Sequence, residues 1–229
     1  MSNIYDGILR RLFEYRTSLD LKQADVGRII EKNQSQLSKI ELGKTILSYD
    51  DLSKLLNAGW DIDYIITEKE KTVWKTNITD SLNISDASLW NDIKEVLVWG
   101  IEQALLQDKA CAQADVNCEL ILLKRVKSED LSVSLLQELR NVTGMAQLVM
   151  AEKLGVNIKK YRDLERRITN PDAELLALIY QITSCRPSLF FYQNDITGYL
   201  LNDLWNKLSF EKQKEVLSFV NHAISLRGI

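Results

Sequence analysis

Apolar residues recur at every third or fourth position along most of this chain, which is the spacing of one face of an α-helix. Over the first part of the chain the pattern predicts five short helices. The first ends near Ser18, two more lie between Asp20 and Gly43, a fourth runs from a cap at residues 48–51 through Leu56, and a fifth covers residues 61–66. Five short helices with apolar inner faces predict a compact helical bundle.

The stretch between Asp20 and Gly43 carries the most specific pattern. Val26, Ile29 and Ile30 share one face of a short helix, and Leu37 and Ile40 share one face of the next. Residues 31–33 leave room only for a tight turn, and Asn33 is placed to cap the second helix through its side-chain oxygen. Together with the helix before them, these two helices predict a helix-turn-helix.

The second helix of this pair leaves amides, hydroxyls and an amine exposed. They belong to Gln34, Ser35, Gln36, Ser38 and Lys39. Short polar side chains at the front of an exposed helix can contact base edges and phosphates in the major groove of DNA. An ordinary solvated helix face is the alternative, and the surrounding helices favour the DNA-binding interpretation.

This segment resembles the phage-repressor family of helix-turn-helix regulators, also called XRE or Cro/repressor-like. The resemblance covers roughly residues 8–66 and specifies no operator. It is carried by Leu21, Lys22 and Gln23, by Leu37 and Ile40, by Glu41, Leu42 and Gly43, and by Leu52, Leu55 and Leu56. It implies that Gln23 and Gln34 lie near each other and help to grip DNA.

One position departs from the family pattern. The turn residue that is usually glycine is Glu31 in this chain. A non-glycine residue in the left-handed conformation of such a turn costs about 1 kcal/mol, which a stable bundle tolerates.

From Leu131 onward the chain repeats itself at an offset of 124 residues without a gap. Identical pairs are Leu12 and Leu136, Glu14 and Glu138, Arg16 and Arg140, Gln23 and Gln147, Glu41 and Glu165, and Leu52 and Leu176; similar pairs are Leu21 and Met145, Gly27 and Ala151, Leu37 and Tyr161, Ile40 and Leu164, and Leu55 and Ile179. Gly155 falls at the turn and Asn157 at the cap, so the second repeat also resembles the same family. Two copies with so long a period indicate a duplication and not a solenoid.

The two repeats differ on the exposed face. Ile158 stands in place of Gln34, and Asp163 in place of Lys39. The second face carries more cations, namely Lys159, Lys160, Arg162, Arg166 and Arg167. Phosphate binding with little base reading is one interpretation, and a packing or partner module is the other.

The predicted DNA contacts therefore come from both repeats. They are Gln23, Gln34, Ser35, Gln36, Ser38, Lys39 and Lys44 in the first, and Gln147, Lys159, Lys160 and Arg162 in the second.

Between and after the repeats the pattern is less specific. Residues 77–88 read as a linker, with residues 71–78 as an alternative strand, and Ser88 as the cap of a long helix that includes Trp90 and Trp99. That helix is apolar around much of its girth, so we expect it to lie between two surfaces, either of this chain or of two copies. Residues 116–126 fit a helix or a buried strand, and we expect a helix.

The chain ends in two amphipathic helices, the second capped by Ser209. Leu204, Trp205, Val216, Leu217 and Val220 form an apolar face that has no obvious partner within the chain. The resemblance implies that such a terminal hairpin supports a homodimer. His222, the single histidine, is expected to be a packing or surface residue.

We therefore predict a mostly α fold with two lambda-repressor-like five-helix bundles joined by a helical linker, plus a C-terminal helical hairpin. The predicted segments are 1–70 for the DNA-binding helix-turn-helix domain, 71–130 for the linker and bridging helices, 131–195 for the second helix-turn-helix domain, and 196–229 for the hairpin and dimerisation.

Composition narrows the function classes. Hydrophobic content of 45% with 27% charged residues is ordinary for a globular protein, and nine glycines and two prolines favour helices. The net charge of −3 requires a DNA-binding protein to segregate its basic residues onto one face. Three cysteines without a CxxC pair, and one histidine, favour reduced thiols in a cytoplasm and argue against a zinc site. The charged N-terminus predicts no secretory signal, and we expect no membrane span.

The sequence lacks the GxxxxGK, GxSxG and HExxH motifs, so we expect no enzyme, no cofactor and no metal. We predict a cytoplasmic, sequence-specific DNA-binding transcriptional regulator, a repressor, that binds double-stranded DNA as a homodimer. The alternative is a protein-interaction regulator, such as an antitoxin or anti-repressor adaptor, that uses the fold without operator recognition. A third hypothesis is a sensor with a small-molecule pocket around Trp90 and Trp99; the sequence identifies no small-molecule or protein effector.

Overall fold

The computed structural model describes residues 3–69, 78–82, 87–107, 119–120, 122–123, 133–191 and 196–226. Within those ranges every regular element is helical, which confirms the predicted mostly α fold. The chain divides into two compact units. The repeat unit comprises Met1–Lys71 and Val133–Gln193, and the hairpin unit comprises Thr72–Ser132 and Asn194–Ile229. The repeat unit corresponds to the predicted segments 1–70 and 131–195, and the hairpin unit to 71–130 and 196–229. That these segments are separate domains stays a prediction.

The first repeat contains the five helices that the periodicity predicted. They are α1 (Asn3–Ser18), α2 (Gln23–Ile29), α3 (Gln34–Glu41), α4 (Tyr49–Asn57) and α5 (Ile62–Thr67). Three of them begin at capping residues: the side chains of Asn33, Ser48 and Asp61 each accept a hydrogen bond from a backbone N–H in the first turn. Their inner faces meet in one core that includes Ile8 and Leu52, both 0% exposed.

The second repeat has the same order of helices. They are α8 (Leu135–Val142), α9 (Gln147–Lys153), α10 (Ile158–Glu165) and α11 (Ala173–Thr183), followed by a 3-10 helix (Pro187–Phe190). Both bounds of α9 and of α10 lie 124 residues beyond those of α2 and α3. The fifth element is a single 3-10 turn where the first repeat has an α-helix, and Pro187, which lacks an N–H, stands at its start.

The offset also holds for the backbone at the ends of helices. Asp20, Glu31 and Gly43 in the first repeat have φ values of 55°, 56° and 72°, and their counterparts Gly144, Gly155 and Arg167 have 67°, 65° and 58°. All six lie in the left-handed region. The backbone conformation at these helix ends is therefore the same at the 124-residue offset.

The two repeats share part of their core within the repeat unit. Ala173, Leu176 and Ala177 of α11 are buried in the same cluster as the inner face of the first repeat. The phenolic hydroxyl of Tyr49 donates to the carbonyl of Phe190 at 2.6 Å, and the Tyr49 ring stacks on that of Phe191 at 4.4 Å. Phe190 and Phe191 pack against this core.

A buried carboxylate adds a second connection between the repeats. Ser188 donates its backbone N–H and its hydroxyl to Asp63, at 2.8 and 2.7 Å. Burial raises the pKa of Asp63, and the two hydrogen bonds from Ser188 oppose that rise. Ala173 also donates its N–H to the carbonyl of Leu47 at 3.1 Å. The repeats are thus joined by polar contacts as well as by apolar packing.

The hairpin unit contains α6 (Ile78–Ser81), α7 (Ala87–Gln107), α12 (Ile196–Lys207) and α13 (Phe210–Leu226). The terminal helices do have a partner within the chain, so the contrary expectation was wrong. Leu204, Trp205, Val216 and Val220 are at most 3% exposed, because α13 packs on α7 and α12 contacts α6 and α7. The many residues that separate α7 from α12 along the chain hid this pairing from periodicity.

The remaining local predictions divide into tested and untested ones. Ser209 caps α13 by accepting from the N–H of Lys212 at 3.4 Å, and His222 is exposed on the surface. α7 begins at Ala87, one residue before the predicted cap Ser88. Residues 71–77, and all of 116–126 except 119–120 and 122–123, which are helical, lie outside the described part of the chain. No helix in the described ranges has both the length and the apolar character that crossing a bilayer requires.

Candidate nucleic-acid interface

The helix α3 is held from one side and exposed on the other. Leu37 and Ile40 are 1% and 0% exposed and fix α3 to the core. The predicted DNA contacts Gln34, Ser35, Gln36, Lys39 and Lys44 are exposed, and Ser38 is half-buried. The face that the sequence assigned to DNA is therefore the open face of α3.

The start of α3 is fixed by a reciprocal pair of hydrogen bonds. The side-chain oxygen of Asn33 accepts from the N–H of Gln36, and Gln36 Oε1 accepts from the N–H of Asn33, both at 2.9 Å. Gln36 therefore holds the first turn of its own helix, a use of the side chain that was not predicted. Its role as a DNA contact stays a prediction.

Gln23 of α2 lies beside the front of α3. One open depression is lined by Gln23, Asn33, Gln34, Ser35 and Ser38. The structure thus brings together Gln23 and Gln34, from two different helices. Lys44 follows Gly43, and its N–H donates to the carbonyl of Lys39 at 2.8 Å, which ties the loop after α3 to the last turn of that helix.

A buried ion pair lies behind Gln23. Arg16 donates from Nε and Nη2 to the two carboxylate oxygens of Glu41, at 2.6 and 3.2 Å, and from Nη1 to the carbonyl of Leu21 at 2.7 Å. The side chains of Arg16 and Glu41 are 9% and 7% exposed. Gln23 Nε2 donates to the same carboxylate at 2.8 Å. Glu41 therefore links α1, α2 and the end of α3, and it orients the Gln23 amide.

The second repeat contains a network of the same kind around Glu165. Arg140 Nε and Gln147 Nε2 donate to Glu165, each at 2.6 Å, and Arg140 Nη1 donates to the carbonyl of Met145 at 3.0 Å. Tyr161 adds its hydroxyl at 2.7 Å. Burial and the bond to Glu165 raise the pKa of Tyr161, which keeps it a neutral donor. The sequence signal was that the Arg, Gln and Glu of this network are identical at the 124-residue offset, although their mutual contact was not inferred.

The exposed side of α10 differs from that of α3 in its charge and in how the neighbouring glutamine is held. Lys159, Lys160 and Arg162 are exposed, and Ile158 and Asp163 are half-buried. Arg162 Nε donates to Gln147 Oε1 at 3.4 Å, so the Gln147 amide is held at both ends. The counterpart of Arg162 in the first repeat is Ser38, whose side chain is far shorter.

The described residues offer no cluster of three or more His, Cys, Asp or Glu side chains that could hold a metal ion. Cys185 is buried and forms no disulfide, and Cys111 and Cys118 lie outside the described residues. What the site offers chemically is hydrogen-bond donors and acceptors with a few cations, which suits recognition of a polar, anionic surface.

Comparison with known protein families matches residues 12–58 to the family model HTH_3, described as helix-turn-helix. The matched range contains α2, α3 and α4, and with them every predicted DNA contact of the first repeat. A comparison with curated proteins finds no match, and neither does one with solved structures. Residues 12–58 are an XRE-type helix-turn-helix domain.

Proposed function

We propose that this chain is a sequence-specific DNA-binding transcriptional regulator that reads the major groove with α3. The observation that carries the proposal is the polar front of α3, held rigid by Leu37 and Ile40 inside a matched helix-turn-helix domain. A recognition helix must present its side chains from a fixed frame, because a displaced donor no longer meets its base. The buried Arg16–Glu41 pair supports that frame from behind.

In this proposal Gln34 reads a base, since a side-chain amide pairs bidentately with the N6 and N7 positions of adenine. Ser35, Ser38 and Lys39 contact neighbouring bases and phosphates from the same helix. Gln23 and Lys44, which lie at either end of α3, bind the phosphate backbone of the DNA. Phosphate contacts set the register of the protein on the duplex, and the base contacts set its preference.

The second repeat is assigned mainly to phosphates. Lys159, Lys160 and Arg162 are exposed cations, whereas the base-reading position holds Ile158. Cations without a base-reading amide favour sequence-independent binding. Gln147 donates one Nε2–H to Glu165 and accepts from Arg162 through Oε1, so its phosphate contact in this proposal uses the second Nε2–H.

Repression, a cytoplasmic location and a homodimer belong to the same proposal, which assigns the chain no catalytic activity, cofactor or metal. A protein bound at a promoter excludes other proteins by occupancy alone, so repression needs no further contact surface. The proposal assigns no effector.

The test is selection of bound sites from random duplex DNA, followed by titration of the selected site and of random duplex with wild type and Gln34→Ala. We expect Gln34→Ala to weaken binding to the selected site by about 1–3 kcal/mol and to leave binding to random DNA nearly unchanged. Ile158→Ala, the same helix position in the second repeat, is the matched control and should leave the preference intact.

Two results would oppose the proposal. If Gln34→Ala weakens both duplexes equally, Gln34 holds the backbone and does not read a base. If wild type selects no site and binds no duplex at low salt, the protein-interaction alternative replaces the proposal.

A further inference from the structure

The contacts between the two repeats are reciprocal. α5 of the first repeat packs against α11 of the second. Tyr49, the first residue of α4, contacts Phe190 and Phe191 at the end of the 3-10 helix. At the 124-residue offset α11 is the counterpart of α4, and the 3-10 helix is the counterpart of α5. Each repeat therefore uses its fourth element to contact the fifth element of the other, as the two halves of an isologous dimer do.

The same reciprocity holds for individual residues. The counterparts of Tyr49 and Phe190 are Ala173 and Ile66, which are 0% and 2% exposed and lie in one core. α11 also contacts α1, and here the counterpart cannot be compared, because residues 127–132, which correspond to the start of α1, lie outside the described part of the chain. Where both sides are described, the contacts between the repeats come in matching pairs.

Two hydrogen bonds lie where a position meets almost its own counterpart. Asp63 accepts from Ser188, which is the counterpart of Tyr64. Leu47 accepts the N–H of Ala173, two positions beyond the counterpart of Leu47 itself. In a two-fold arrangement a position meets its own counterpart only next to the axis. A pseudo-two-fold axis therefore passes beside Asp63 and beside Leu47.

The loops that follow α3 and α10 keep both helices close to this axis. The N–H of Thr45 donates back to the carbonyl of Lys39 at 3.2 Å, and that of Thr169 donates to the carbonyl of Asp163 at 3.3 Å. Only two residues of chain lead from Thr45, and four from Thr169, to the backbone hydrogen bond that joins the repeats. Because one residue spans at most about 3.6 Å, the centres of α3 and α10 lie at most about 50 Å apart.

That limit selects one spacing on DNA. Recognition helices related by a two-fold axis enter the major groove one helical turn apart, at about 34–36 Å, or at a multiple of that distance. Two turns require about 70 Å, which exceeds the reach of the chain between α3 and α10. Only half-sites one turn apart fit a single repeat unit.

We propose that the repeat unit of one chain is a pseudo-dimer, whose two repeats bind unlike half-sites one helical turn apart on the same duplex. The inference rests on the proposed function and specifies the kind of DNA that the chain takes. Gln34 reads one half-site, and the exposed cations Lys159, Lys160 and Arg162 bind the phosphates of the other. The preferred site is therefore not a palindrome: it has bases that matter at one end and DNA of any sequence on one defined side.

The test uses the duplex that selection from random DNA provides, at about 24 base pairs, and two trimmed forms that each lack about eight base pairs on one side of the selected bases. Wild type should bind one trimmed form about tenfold more weakly than the full duplex, because the phosphates of the second half-site are missing. The form trimmed on the other side is the matched control and should bind like the full duplex. At saturation we expect one chain for each duplex, whether or not chains also associate through another surface.

A variant with Lys159→Ala and Lys160→Ala links this asymmetry to the second repeat. It should bind the full duplex about as weakly as wild type binds the weaker trimmed form, and trimming should cost it little more. Because the DNA is changed in one arm and the protein in the other, misfolding of the variant cannot produce the whole pattern.

The outcomes separate the pseudo-dimer from the proposed function. A palindromic selected site with two chains on each duplex, equal affinities of wild type for the two trimmed forms, or a double variant that still distinguishes them would overturn the pseudo-dimer and leave the proposed function standing. A chain that binds no duplex would remove both. If wild type binds duplexes without selecting a site, the proposed function fails, and the pseudo-dimer stands only if the double variant reduces the preference for an arbitrary duplex of about 24 over one of about 12 base pairs.

Discussion

In the turn before its exposed helix the first repeat carries Glu31 at a φ of 56°, and the second repeat carries Gly155 at 65°. Both turns lead into helices that begin at an asparagine cap, Asn33 or Asn157. The first residue of the helix differs: it is the exposed Gln34 in α3 and the half-buried Ile158 in α10. The two repeats therefore share their backbone conformation at this turn but differ in the side chains that the following helix exposes.

The constant part has a physical source in the buried network. Glu41 and Glu165 each accept hydrogen bonds from an arginine and a glutamine on two other helices. Removal of the arginine from such a pair would leave a buried carboxylate with an unpaired charge, which is strongly destabilising. Exposed positions carry no such constraint, so the same frame supports a polar face in one repeat and a basic face in the other.

The largest expected effect tests whether this frame is common to both repeats. Glu41→Ala would leave Arg16 buried without its carboxylate, and Glu165→Ala would do the same to Arg140. We expect each substitution to lower the free energy of unfolding of the repeat unit by about 3–5 kcal/mol. The measurement is urea unfolding followed by circular dichroism.

Asp25→Ala provides the control. Asp25 is half-buried, pairs with the exposed Arg28 and accepts the N–H of Lys22 at the start of α2, so its loss should cost only a fraction of what the loss of either glutamate costs. If substitution of Glu41 or of Glu165 lowers the free energy of unfolding by no more than Asp25→Ala does, the buried network does not stabilise both repeats.

Local signals explain why so much of this frame was predictable. Asn33 and Ser48 are capping residues placed before apolar residues at helical spacing, so the starts of α3 and α4 followed from neighbouring residues alone. Glu31 was expected at a turn with positive φ, and the structure confirms it. Both inferences depend on contacts within a few residues.

Contacts between distant residues could not be read in this way. The bond from Ser188 to Asp63 joins residues 125 apart, and that from Tyr49 to Phe190 joins residues 141 apart. No periodicity marks such partners, so the shared core of the repeats was not predicted. Within the candidate site the exposure of Gln36 was predicted, but the hydrogen bond that its Oε1 accepts from the N–H of Asn33 was not.

The second prediction concerns Gly27, whose counterpart is Ala151. A Cβ on Gly27 would lie 2.6 Å from the carbonyl oxygen of Lys32, a backbone atom. The two turns differ here, since the N–H of Lys32 reaches the Gly27 carbonyl at 2.7 Å, whereas that of Val156 reaches the Ala151 carbonyl at 3.0 Å. We expect Gly27→Ala to destabilise the repeat unit by about 1–3 kcal/mol, although alanine is the better helix former.

Ala151→Gly is the reciprocal variant and should cost about 1 kcal/mol, through the flexibility of glycine and the absence of the buried methyl group. Urea unfolding of both variants checks the pair. A neutral or stabilising Gly27→Ala would mean that the closer approach in the first turn is not required.

The third prediction sharpens the contrast between the two exposed faces. Replacing Lys159 and Lys160 by Ala should weaken binding to every duplex by about tenfold, and the slope of log affinity against log salt should shrink by about 0.9 for each phosphate that the variant no longer neutralises. Lys39→Ala should weaken binding and, in addition, reduce the preference for the selected site, because Lys39 lies on α3 with Gln34 and Ser35. Both variants are measured by DNA titration at several salt concentrations. Lys214→Ala in the hairpin unit is the charge-matched control for Lys39→Ala. If the double variant has the affinity and the salt slope of wild type, the second repeat does not contact DNA, and its cations face a protein partner or solvent.

The smallest expected effect lies in the turn itself, and there the two repeats should respond with opposite signs. Gly155→Ala forces a side chain into the left-handed region and should cost about 1 kcal/mol. Glu31→Gly relieves the same strain and should be stabilising, by a smaller amount because the substitution removes the hydrogen bond from Lys54 to Glu31.

The hydrogen bond from Lys54 to Glu31 makes the effect of Glu31→Gly on stability depend on pH. The hydrogen bond and charge of Lys54 lower the pKa of Glu31, so the carboxylate stabilises the fold above its unfolded pKa and loses that contribution as pH falls through its folded pKa. The advantage of Glu31→Gly over wild type should therefore be larger near pH 4 than at pH 7, whereas the cost of Gly155→Ala should be the same at both. Thermal unfolding of the three proteins at the two pH values is the measurement. If Glu31→Gly destabilises at both, the left-handed glutamate is held by more than its pair with Lys54, and the turns are not equivalent.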